Sequence, residues 1–112
     1  MKRLAIMVLL ALAACDAIDL GPQTVQVELQ VVGPESADIT YTTANSGQSQ
    51  DTGAALPWSY EYTASSGEFY YVSAQNSQGG TITCKVTIDG VPTKSTDAHG
   101  RFAICTADGS VP

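Results

Sequence analysis

From residue 24 onward the chain reads in twos: apolar and polar residues alternate, a period that builds strands and not amphipathic helices. In Thr24–Val31, Val25, Val27, Leu29 and Val31 alternate with Gln26, Glu28 and Gln30. Ala37–Thr43 repeats the pattern through Ile39 and Tyr41, and Pro57–Thr63 through Trp58, Tyr60 and Tyr62. Thr81–Asp89 does so through Ile82, Cys84, Val86 and Ile88. Each window predicts a half-buried strand with its apolar side inward. Phe69–Gln75 is richer in apolar residues and reads as a strand buried on both faces. Val91–Thr96 is short and polar, which suits an edge, and Arg101–Thr106 closes the series.

Turn residues separate these windows: Gly33-Pro34, Asn45-Ser46-Gly47, Ser65-Ser66-Gly67, Gln78-Gly79-Gly80, Asp89-Gly90 and His99-Gly100. Asp89-Gly90 tolerates the positive φ angles of a type I′ turn, so a two-residue hairpin is expected there. Pro57 and Pro92 fall at strand starts, where a missing N–H costs least. About seven short strands in one small domain predict an all-β, immunoglobulin-like sandwich. Antibody domains place their core tryptophan between two cysteines; here Trp58 precedes both Cys84 and Cys105.

The start of the 112-residue chain differs in kind. Met1-Lys2-Arg3 is a short positive segment, and Leu4–Ala14 is an unbroken apolar run. That run is shorter than the roughly 20 residues a bilayer span takes, and it fits the apolar part of a signal peptide. It ends in Leu12-Ala13-Ala14-Cys15, which resembles the lipobox of bacterial lipoproteins. The resemblance implies a removable signal peptide over 1–14 and a lipidated Cys15 leading a tether over 15–22. The folded domain then covers 23–112. Small residues before the cysteine let the extended chain fit the peptidase, and the thiol accepts the lipid. Cleavage after Ala13 instead would leave Cys15 as a free thiol. Two acyl chains hold a protein stably at a bilayer where one does not. The eight residues 16–23 reach at most about 26 Å, which keeps the domain close to the membrane. The expected location is the extracytoplasmic face of the cell membrane.

Charge removes other function classes. Without the leader, only Lys85, Lys94 and Arg101 face 11 acidic residues, so no basic face exists for nucleic acid. The glycine motifs of nucleotide-binding folds are missing, and 44% hydrophobic residues argue against a disordered tail. His99 is the single histidine, in a Thr96–Gly100 turn segment beside Asp97, and no nucleophile elbow accompanies it. No D-x-D-x-D-G calcium loop is present. The expectation is a protein without catalytic residues, metal ligands or cofactor.

Setting Cys15 apart leaves Cys84 and Cys105, and an exported pair most simply forms a disulfide. Metal or redox chemistry finds no C-x-x-C and no histidine at a suitable spacing. Trp58, Tyr60 and Tyr62 share one strand face, which points to core packing, with an exposed binding patch as the rival. Tyr70 and Tyr71 are adjacent, so one of them must face outward; the pair are the candidate partner-binding residues.

Several motifs together resemble the MmpS family of small actinobacterial membrane proteins. They are Leu56-Pro57-Trp58-Ser59, Val72-Ser73-Ala74-Gln75-Asn76, the run Ile82-Thr83-Cys84-Lys85-Val86-Thr87-Ile88-Asp89-Gly90, and the closing Phe102-Ala103-Ile104-Cys105. Ala37-Asp38-Ile39-Thr40-Tyr41 fits as well, and the resemblance runs over about 23–107. It implies a β-sandwich on the outer face of the cytoplasmic membrane, accessory to MmpL exporters of the RND class. The family usually carries an N-terminal transmembrane helix where this chain shows a lipobox. The alternative function is a stand-alone lipoprotein that binds a small apolar ligand or lipid.

Overall fold

The computed structural model describes residues 23–112. The expected signal peptide over 1–14 and the expected tether over 15–22, with Cys15, lie outside the described residues. Eight strands form in order: β1 (Thr24–Val32), β2 (Ser36–Thr43), β3 (Gly47–Ala55), β4 (Trp58–Ser65), β5 (Phe69–Asn76), β6 (Thr81–Ile88), β7 (Val91–His99) and β8 (Ile104–Ser110). They make two four-stranded sheets, ordered β4-β1-β6-β7 and β3-β2-β5-β8. Every pairing is antiparallel. The sandwich expected from the alternation is present, with one strand more than the periodicity indicated.

The extra strand is β3. Its sequence, GQSQDTGAA, carries no apolar alternation because it is an exposed edge with little to bury. It forms by pairing with β2, from Ser36↔Ala55 to Thr43↔Gly47, around a bulge between Ala37 and Ile39. The Asp38 carboxylate accepts the Gly53 N–H at 2.9 Å beside that bulge. Asn45 and Ser46, both with φ of 61°, make the turn between the two strands.

Three further expectations need correction. β5 is not buried on both faces: Tyr70, Val72, Ala74 and Asn76 point inward, while Phe69 is exposed and Tyr71, Ser73 and Gln75 are half-buried. β7 runs on to His99, which pairs with Thr81 and is exposed at a strand end rather than in a turn. The last strand begins at Ile104, because Gly100–Ala103 forms a turn. The Asp89-Gly90 hairpin is as expected, with φ of 50° and 80°.

Val27, Leu29 and Val31 of β1 meet Ile39 of β2, Val72 of β5, and Ile82 and Val86 of β6 in the core, all fully buried. Each such side chain contributes about 1.5–3 kcal/mol relative to exposure. Cys84 on β6 and Cys105 on β8 form a disulfide that joins the two sheets, with Cα atoms 5.7 Å apart. Facing sheets normally lie about 10 Å apart, so the sandwich is pinched together along this side. The Thr96 hydroxyl of β7 donates to the Thr106 carbonyl of β8 at 2.8 Å beside the staple.

Candidate functional site

The strand registers give the sandwich two distinct ends. At the near end the chain enters β1: Thr24 pairs with Ser65, and the Ser66 N–H donates to the Gln23 carbonyl at 3.0 Å. The Asp89-Gly90 hairpin sits here too, since Asp89 donates its N–H to Gln26 O at 2.9 Å. At the far end lie Val32, the start of β6 opposite it, His99 and the turn into β8.

That far turn is unusual. The Ala103 N–H donates to Gly100 O at 3.2 Å, closing a β-turn whose third residue is Phe102. Phe102 has φ of 68°. A positive φ at this turn position ordinarily calls for glycine or asparagine, because a Cβ there meets backbone. The other non-glycine residues with positive φ are Asn45, Ser46 and Asp89, small polar turn formers. A phenylalanine in this region costs about 1 kcal/mol or more, and such strain gathers where function requires it.

Asn76 holds the turn in place. It is fully buried at the end of β5, on the core face. Its backbone N–H donates to Ala103 O at 2.8 Å, and its carbonyl accepts the Phe102 N–H at 2.9 Å. Its side-chain amide donates to Gly80 O at 3.1 Å and Gly100 O at 3.2 Å, and its Oδ1 accepts the Gln78 N–H at 3.3 Å. Every polar group of Asn76 is therefore used, which is what lets an amide sit in a core. The Gln75 side chain adds a bond to Phe102 O at 3.3 Å.

The held turn presents apolar surface. Phe102 is 60% exposed and Ile104 58% exposed, and the Arg101 guanidinium lies 4.9 Å from the centre of the Phe102 ring. Arginine and aromatic residues are enriched where proteins meet, and here both stand exposed on a held turn.

Of the residues singled out from the sequence, Tyr70 is buried, with its hydroxyl pushed up in pKa by that burial and by the Asp108 charge. It is thus core, and Tyr71 is the half-exposed member of the pair, stacked on Phe69 at 6.3 Å. Trp58, Tyr60 and Tyr41 pack ring on ring at 4.7 and 5.0 Å from Tyr41, along the seam between β3 and β4. Asp51 fastens that seam, accepting the Trp58 indole N–H at 2.9 Å and the Tyr41 hydroxyl at 3.4 Å. Tyr62 is buried, and its hydroxyl shares a 2.9 Å bond with Thr42. Desolvation raises the Tyr62 pKa, the Thr42 bond partly opposing it. These aromatics close the core margin. His99 meets the Thr81 hydroxyl at 3.0 Å, and Asp97 accepts from Thr83 on the same surface.

Among the described residues, no three His, Cys, Asp or Glu side chains are grouped to hold a metal ion. A groove of about 330 Å³ lies on the outer face of the first sheet, lined by Gln30, Lys85, Thr87, Pro92, Lys94 and Ser95 among others. Among the described residues, no helix is long and apolar enough to cross a membrane. Asn76, Arg101, Phe102 and Ile104 were not legible as a site. Asn76 looks like the start of a loop, and Phe102 looks like the first residues of a strand.

Comparison with curated proteins finds no match. The profile of a family described as Mycobacterium membrane protein matches residues 6–107. Together with the motifs, the two-sheet fold and the disulfide, this match places the chain: it belongs to the MmpS-type Mycobacterium membrane protein family.

Proposed function

We propose that the protein is a non-enzymatic, lipid-anchored envelope module that serves an RND-class export system of the MmpL type, docking through its far end. The observation that carries this reading is the Asn76-held turn, which spends backbone strain on exposing Phe102. Strain of this kind has no use in packing, because the ring is 60% exposed. The far end also points away from Gln23, where the anchoring segment joins the domain. A module held at one end and rigid at the other is suited to scaffolding. Its disulfide, inter-sheet core and buried amide keep the contact surface preorganised, which lowers the cost of binding.

The reading is tested by purifying the full-length chain from membranes of its host under mild detergent. Recovery of an RND-class transporter with the wild-type chain supports it. Recovery of none argues against it. Anchoring is tested separately: Cys15→Ala abolishes labelling by a palmitate analogue if Cys15 carries the lipid, and labelling that persists refutes the lipid anchor.

A further inference from the structure

We infer that the near end of the sandwich rests on the lipid surface, with Phe69 and Val91 set into its interface. The inference relies on the anchoring proposed above but not on any partner at the far end. Phe69 begins β5 and is 52% exposed; Val91 begins β7 and is 62% exposed. They belong to different sheets, yet both lie at the end where the chain enters. Phe69 pairs with Ser110, next to the Gly67 N–H that donates to Val111 O at 2.8 Å. Val91 follows the hairpin bonded to Gln26 through both the Asp89 N–H and the Asp89 carboxylate. Tyr71 stacks behind Phe69, giving an amphipathic ring beside an apolar one, the pairing that favours a membrane–water interface.

The length of chain outside the described residues decides what covers this end. Residues 16–23 span at most about 26 Å from Cys15 to β1. The nine residues of β1 alone extend about 30 Å. The tether is therefore too short for the domain to turn over and set its far end on the bilayer while Cys15 stays in it. The tether keeps the lipid surface within about 26 Å of the end that carries Phe69 and Val91, and keeps the far end off it. Exposed Asp89 and Asp108 flank this end and favour a zwitterionic surface over an anionic one.

The test uses the full chain reconstituted in phosphatidylcholine vesicles whose acyl chains carry bromine, a short-range quencher of indole. Trp58 is the only native tryptophan and stands opposite Val31, toward the far end of β1, so the wild-type chain is its own reference. Phe69→Trp and Val91→Trp each add an indole at an exposed position, where the larger ring meets solvent and the fold should be kept. Phe102→Trp adds one at the far end. The expected result is that F69W and V91W each lose close to the share of emission their second indole adds, while wild type and F102W keep theirs. Quenching of F69W or V91W no greater than that of wild type overturns the inference. Equal quenching of F102W overturns it as well, since the sandwich would then lie flat.

Discussion

The backbone N–H of Phe102 donates to the carbonyl of buried Asn76 at 2.9 Å, and this bond helps fix an exposed phenylalanine at a φ of 68°. Glycine suits that angle and phenylalanine does not. Phe102→Gly should therefore leave the fold intact and change stability by no more than about 1 kcal/mol, in the stabilising direction. Thermal unfolding of the variant checks this. The same variant should lose recovery of the transporter, which separates a contact role from a structural one.

Asn76→Ala should behave in the opposite way. It keeps the backbone bonds to Phe102 and Ala103 but removes the side-chain bonds to Gly80, Gly100 and Gln78. Buried partners left unsatisfied cost about 1–3 kcal/mol. Denaturant unfolding should show a lower midpoint, and amide exchange should quicken first in the Gly100–Ala103 turn.

The seam between β3 and β4 depends on the acceptor at Asp51. Asp51→Asn keeps a carbonyl oxygen for the Trp58 indole, whereas Asp51→Ala keeps none. The alanine variant should lose about 1–2 kcal/mol and the asparagine variant less. Trp58 emission should shift to the red in the alanine variant as the indole meets water.

Reducing Cys84–Cys105 opens a loop with a sequence separation of 21. The loss of that constraint should lower stability by about 3 kcal/mol. Unfolding with and without a reductant measures the difference. A small sandwich depends on this contribution more than a large one would, because it buries less of its surface.

Stability should also fall in alkali. Tyr62 and Tyr70 have folded-state pKa values raised above 10.0, chiefly by burial. The folded chain holds these protons more tightly than the unfolded one, so their effect is neutral below the unfolded pKa and destabilising as pH rises past it. The midpoint should drop above a pH of about 10. Tyrosinate absorbance should show Tyr62 and Tyr70 ionising together with unfolding.

Much of the architecture was visible in the alternation because burial on one face writes itself into a strand at every second residue. β1, β2, β4 and β6 each had that record. β3 did not, since an exposed edge strand is held by its backbone pairing and leaves its side chains free to be polar. The far turn escaped for a different reason. Phe102-Ala103-Ile104 looks like the start of a strand, and only the angle at Phe102 shows that the chain is turning there. Asn76 was hidden similarly: an asparagine before Ser77-Gln78-Gly79-Gly80 suggests a loop, and its burial depends on carbonyls brought in from a distant turn. The disulfide was legible because Cys84 and Cys105 have neither a C-x-x-C spacing nor a histidine placed for metal, which leaves pairing with each other. Tyr70 and Tyr71 could be split into inward and outward, but adjacency alone did not say which was which.

The most direct test of the account places a photo-crosslinking amino acid at position 102 of the full chain, with position 69 as the control, in living host cells. The expected result is an adduct between position 102 and an RND-class transporter, and none from position 69 to that transporter. An adduct from position 69 alone, or no transporter adduct from position 102, would contradict it.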